Sequence, residues 1–180
     1  ASDDCMGCHS MYDTVAEPMD AWHGSLMGQA GRDPLFFAQM TTANQDVANA
    51  GYFCMRCHVP MSFVTGNAYD PSGQSLTLTD ADGVNCHICH AMVDPIYKPG
   101  ISPPEDEAIL LGLTDKPEHY GNAMFVLDPL GQRRGPRTDS LAMHEMIPSP
   151  FHRTGSFCGT CHDVGNVGVT RQPDGTYRYN

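Results

Sequence analysis

The eight cysteines constrain this chain more than any other feature, because all of them fall into four C-x-x-C pairs and each pair is followed at once by a histidine. The motifs are CMGCH (Cys5, Cys8, His9), CMRCH (Cys54, Cys57, His58), CHICH (Cys86, Cys89, His90) and CGTCH (Cys158, Cys161, His162), called motifs 1 to 4 below. With 9 histidines among 180 residues, a histidine behind all four pairs arises by chance on the order of once in a hundred thousand chains. C-x-x-C-H is the spacing of c-type haem attachment, in which two sulfurs form thioethers and the histidine takes the proximal side of the iron. Two plainer readings compete. Structural Cys₄ zinc sites use C-x-x-C pairs but have no use for a histidine behind each one. Disulfides within a pair close short, strained loops that suit redox or metal chemistry better than stapling.

Four haems in 180 residues leave 45 residues apiece, and 18 glycines and 14 prolines interrupt long elements. A chain so divided cannot build a large side-chain core, so the macrocycles themselves are expected to form much of it. The fold class expected is mainly α with much irregular structure, a small haem-packed domain over 1–180 with a short β-hairpin near the C-terminus. Ligand bonds that exist only in the folded state stabilise it directly, so the haem-free chain is expected to be largely unfolded.

The net charge of −11 argues against nucleic acid and anionic lipid as partners. No stretch approaches the roughly 18 apolar residues of a membrane span, and the opening ASDDC has neither the charged nor the apolar region of a signal peptide. Haem attachment of this type takes place outside the cytoplasm, so an export signal removed before residue 1 is expected. The location expected is extracellular or at the cell surface, with the periplasm as the alternative.

Between motifs 1 and 2, Asp33 as cap, Pro34 in the first turn and a stripe of Phe36, Met40, Ala43 and Val47 predict a helix ending before Gly51. Residues 64–84 read as loop, with Thr79 capping a short helix that carries motif 3. EDEAILLGL over 105–113 reads as a short helix with its acids at the favourable end. Residues 114–157 show little periodicity. VGVTRQPDGTYRY over 167–179 reads as a hairpin around Gln172-Pro173-Asp174-Gly175. Its second strand stops almost as it begins, as it would if it found a partner or if this were part of a longer chain.

Five histidines lie outside the motif positions: His23, His87, His119, His144 and His152. Four vacant iron positions nearly match them in number, so bis-histidine ligation by His23, His119, His144 and His152 is expected. His87 is the expected spare, because between Cys86 and Cys89 it cannot reach the far side of its own haem. Met27 is an alternative ligand near His23. With no iron open to substrate the protein is a conductor; one open iron would make it an oxidoreductase.

The stretches WHGSLMGQAGRDPLFFA, FCMRCHVP, DGVNCHICHAMVDP, RRGP and FHRTGSFCGTCHDVGN together resemble the cytochrome c554-related multihaem family of exported proteins. The resemblance implies four covalently bound haem c groups and electron exchange with other redox proteins. Met27 departs from it, standing where a W-x-x-S-x-H pattern puts histidine, which favours His23. More loosely, the chain is similar to four-haem surface cytochromes that polymerise into extracellular nanowires. That similarity implies a homo-oligomer or homopolymer with head-to-tail contacts, in which one haem takes its distal histidine from the next subunit. The function expected is electron transfer as an extracellular conduit. The alternatives are a soluble periplasmic shuttle and a multihaem nitrogen-oxide oxidoreductase.

Overall fold

A C-x-x-C-H motif needs its three functional side chains on one face, and an α-helix supplies that face because positions i, i+3 and i+4 lie together. All four motifs are helical in the computed structural model, which describes residues 1–117, 119–165 and 169–179, with backbone alone at 169, 171, 177 and 179. In chain order the helices are α1 (Asp3–His9), α2 (Pro18–His23), α3 (Leu26–Gln29), α4 (Pro34–Asp46), α5 (Ala50–His58), α6 (Met61–Thr65), α7 (Cys86–Ala91), α8 (Pro104–Leu111) and α9 (Gly155–His162). Motifs 1 to 4 end or fill α1, α5, α7 and α9. Among the described residues no helix is long and apolar enough to cross a membrane.

Side-chain caps explain three of the helix starts among the described residues, at α3, α4 and α7. Asp33 Oδ1 accepts the Leu35 amide at 2.8 Å and Pro34 opens α4, as the sequence predicts. The helix stops at Asp46, and Val47 is exposed rather than part of the apolar stripe; Phe36 and Met40 carry the burial. Motif 3 is capped by Asn85, whose Oδ1 accepts the Ile88 amide at 3.0 Å, and not by Thr79. Thr79 instead precedes a 3-10 turn at Asp80–Asp82 and makes no side-chain cap. At α5 the turn is forced by packing: a Cβ on Gly51 would collide with the Pro71 carbonyl oxygen, while Asn44 bonds both Gly51 and Pro71 at 2.8 Å.

Three pairs of very short strands complete the fold: β1 (Met92–Val93) antiparallel to β2 (Val126–Leu127), β3 (Arg133–Gly135) parallel to β4 (Met146–Pro148), and β5 (Val169–Arg171) antiparallel to β6 (Tyr177–Tyr179). The last pair is the predicted hairpin, closed by the Gly175 amide on the Gln172 carbonyl at 3.0 Å with Gly175 at φ 87. Residues 167 and 168 of the predicted hairpin lie outside the described residues. The pairs β1/β2 and β3/β4 have no signal in the sequence, since strands of two or three residues show no period.

Instead of one core there are three small ones. The first joins Phe36 and Met40 of α4 to Met55 of α5, Val59 and Ala68. The second gathers Ile88, Met92 and Phe151, with Phe157 against them, and the third Val93, Leu110 and Val126. The residues between the motif cysteines supply the anchors: Met55, Ile88 and Thr160 are buried on the helix faces opposite the sulfurs. Helix α1 buries no residue of its own. It is tied down through Ser2, whose amide donates to Asp82 Oδ2 at 2.8 Å and whose Oγ accepts the Cys86 amide at 3.2 Å.

The 64–84 segment is held by Asp80, a buried carboxylate that accepts from Thr65 Oγ1 at 2.7 Å, Asn67 Nδ2 at 2.7 Å and both the amide and hydroxyl of Thr77 at 2.8 Å. Burial pushes its pKa up, but these hydrogen bonds together outweigh burial and hold it below the ordinary carboxylate value. The folded value is thus the depressed one. Its stabilisation is complete above about pH 4 and is lost as pH falls through the folded value. Asp80→Asn is expected to cost about 2 kcal/mol at pH 7, read as a lower denaturant midpoint, with the gap to the parent shrinking below about pH 4. Equal midpoints at pH 7 would rule out this role.

Candidate metal centres

The chain exposes more surface than a protein of its mass normally does. A folded monomer of 19.6 kDa is expected to expose about 8600 Å², whereas this one exposes 11200 Å². The motif histidines His9, His58, His90 and His162 are all exposed, and so are large apolar side chains such as Leu26, Leu78, Leu141 and Met143. No two of the eight cysteines are joined in a disulfide.

Two motif histidines face a second histidine. His9 and His144 have ring centroids 6.4 Å apart, and so do His90 and His152, the latter with planes only 18° apart. Metal–imidazole bonds of about 2 Å, with each ring centre about 1 Å beyond its nitrogen, put two rings on opposite sides of one metal ion about 6 Å apart. Both pairs therefore stand at the separation a shared metal requires.

The hydrogen bonds of these rings show which nitrogen is free. A carbonyl oxygen only accepts, so the His90 Nδ1 at 2.7 Å from the Arg134 oxygen carries the proton and the lone pair lies on Nε2. His144 Nδ1 donates to the Glu145 carbonyl at 3.0 Å, again leaving Nε2. His152 is the reverse case: Nε2 donates to the Cys89 carbonyl at 3.0 Å, and Nδ1 is buried with no hydrogen-bond partner. An orphaned buried acceptor is costly unless something coordinates it, and a metal ion between His90 and His152 would do so. Burial, more than any neighbour, holds the His152 pKa below its ordinary value, which favours the neutral ring a metal needs.

The other two motifs differ. His58 stacks on Phe36, with centroids 4.2 Å apart and planes within 9°. Among the described residues no second histidine stands opposite His58 or His162 at the separation seen in the two pairs. His23 ends α2 beside Trp22, at 6.2 Å between centroids, and His119 is exposed in a loop. His87 fits the role of spare. Arg133 Nη1 lies 2.6 Å from its Nδ1, and since a guanidinium only donates, that nitrogen's lone pair is occupied. Met27 is half exposed in α3.

The thiols of different motifs lie beside one another. Burial pushes up the Cys5 thiol, with the neighbouring Cys86 sulfur adding to it. Cys89 is pushed up to about 11, by burial first and then by Cys86 and Cys158. Cys57 and Cys161 share a hydrogen bond that lowers the former and raises the latter, and Cys57 Sγ is 3.9 Å from the Cys161 carbonyl. Thiols of different motifs thus act on one another in three pairings, Cys5 with Cys86, Cys89 with Cys158 and Cys57 with Cys161. Among the described residues no three His, Cys, Asp or Glu side chains cluster as a protein-only metal site would need. A metal here would therefore draw its remaining ligands from a bound group.

Sequence reasoning missed Arg134, whose contribution is a carbonyl oxygen and so leaves no side-chain signature, and Asn85, the cap that sets the motif 3 helix. Compared with protein-family models, with characterised proteins and with solved structures, the chain gives no match.

Proposed function

We propose that this chain is a tetrahaem c-type cytochrome that conducts electrons outside the cytoplasm. The observation that carries the reading is the standing of a second histidine 6.4 Å from the motif histidine at two motifs, His144 with His9 and His152 with His90. The excess surface supports it, because it includes large exposed apolar side chains of the kind that bound macrocycles would cover. When bound, each haem iron takes up and releases one electron, which is the chemistry the group supplies.

The chain's own residues do the rest. The cysteine pairs would hold each group covalently, His9, His58, His90 and His162 would ligate its iron, and His144 and His152 would supply the second protein ligand at motifs 1 and 3. Carbonyls of Arg134, Glu145 and Cys89 orient three of these rings and fix which ring nitrogen carries the proton. Haems in the order of motifs 1, 3, 4 and 2, which the thiol pairings support, would make motifs 1 and 2 the two ends of the conduit, where other redox proteins or further copies of the chain would meet it. His23 and His119 remain as ligands for motifs 2 and 4, in this chain or from a neighbouring copy, and an extracellular filament would use the latter arrangement.

The ligands of motifs 2 and 4 separate the readings, and one experiment decides between them: EPR spectra of the haem-loaded protein with its size on gel filtration. Four low-spin haems in a large polymer support the filament, and four in a monomer support a soluble shuttle. A high-spin haem that binds cyanide or hydroxylamine would overturn the conductor and favour a nitrogen-oxide oxidoreductase.

A further inference from the structure

The backbone that links His90 to His152 is anchored by a buried charge cluster. Arg134 is 0% exposed, and its guanidinium reaches two equally buried carboxylates: Nε donates to Asp106 Oδ1 at 2.9 Å and Nη1 to Asp128 Oδ2 at 2.7 Å. Taking one cation and two anions out of water is costly, and such a cluster rarely stabilises a fold better than apolar packing. What it does well is fix a position. The three residues come from separate segments, α8, the turn after β2, and β3, so the cluster pins β3 against the rest of the domain.

The pinned strand touches the ring of His90 and holds the segment that leads into the turn carrying His152. The Arg134 carbonyl accepts the His90 Nδ1 proton at 2.7 Å. The same strand pairs with β4 in the register Arg134↔Ile147 and Gly135↔Pro148, and the Gly135 carbonyl accepts the Ser149 amide at 2.8 Å. Directly after Ser149 the chain enters the 3-10 turn Pro150–Arg153 that carries His152.

We propose that Arg134 is the positioning residue of the His90/His152 centre: held through its side chain by Asp106 and Asp128, it sets the ring of His90 through its carbonyl and seats the His152 turn through its strand. The proposal rests on the haem reading, and it explains why a costly buried guanidinium sits behind one motif. A shift of the Arg134 backbone alters the hydrogen bond on the proximal ring, and with it the basicity and orientation of the ligand.

The test is carried out on the haem-loaded protein with Arg134→Met, which removes the cation at similar length, and Arg134→Lys, which keeps it. EPR and potentiometric titration are read together. In Arg134→Met one low-spin signal of the four is expected to move and one of the four potentials to shift, with the other three unchanged, and Arg134→Lys is expected to restore part of both. Four signals and four potentials identical to the parent's in a folded Arg134→Met protein would overturn the proposal, as would a uniform shift of all four. Where Arg134→Met does not fold, Asp106→Asn, which leaves the Asp128 pair in place, is read against the same two outcomes. A parent protein that carries no haem overturns the underlying reading before any variant is made.

Discussion

Produced without haem, with all eight motif cysteines replaced by alanine, the chain is expected to show the far-UV circular dichroism of an unfolded polypeptide and no cooperative unfolding transition. The reason lies in the lengths and faces of its elements. Isolated helices below about 12 residues are marginal in water, and α4, at 13 residues, is the longest here. Motif helix α1 buries nothing, and among the described residues the three apolar clusters hold five, three and three buried side chains. Small cores of this kind do not offset the conformational entropy of 180 residues. A haem-free chain with a helical spectrum and a sharp denaturant transition would show that the peptide folds on its own contacts and that the exposed motif faces are ordinary surface.

Removing either facing histidine is expected to open one iron. His144→Ala and His152→Ala should each convert one low-spin haem to high spin, and the reduced protein should take up one more equivalent of carbon monoxide per chain than the parent. The two effects should add in the double variant, because the rings belong to different motifs. His87→Ala is the internal control: its Nδ1 is occupied by Arg133, so the carbon monoxide count should stay at the parent's value. If His152→Ala binds no extra carbon monoxide while His87→Ala does, His152 is not a ligand and His87 serves the haem of another motif.

The candidate sites were legible to the extent that their chemistry is local. C-x-x-C-H places sulfurs and proximal histidine within five residues, and helical geometry puts them on one face without help from the rest of the fold. His144 and His152 were legible as candidate ligands from the scarcity of histidine, but the motif histidines they stand beside were not. His9 and His144 are brought together across almost the whole chain, and nothing in the intervening sequence encodes that distance. The neighbouring of motif 1 with motif 3 and of motif 2 with motif 4 has the same origin, since it comes from the Ser2 hydroxyl on the Cys86 amide and from Cys57 against Cys161 rather than from spacing. Helix α4 was readable from Asp33 and Pro34 because capping is a local effect. Thr79 failed as a cap for α7 because Asn85, one residue before the helix, satisfies the Ile88 amide directly. The Arg134 cluster stayed hidden because a charged side chain at 134 reads as surface until Asp106 and Asp128 are seen to bury it.

The central claim is that four haems are covalently bound to this one chain, and the intact mass of the denatured protein, exported by a host that attaches haem c, tests it most directly. The mass predicted is that of the polypeptide plus four haems, with a pyridine haemochrome spectrum giving the same count. A protein that leaves the cell folded with the mass of the bare chain, or with zinc or disulfides accounting for the eight cysteines, would contradict it.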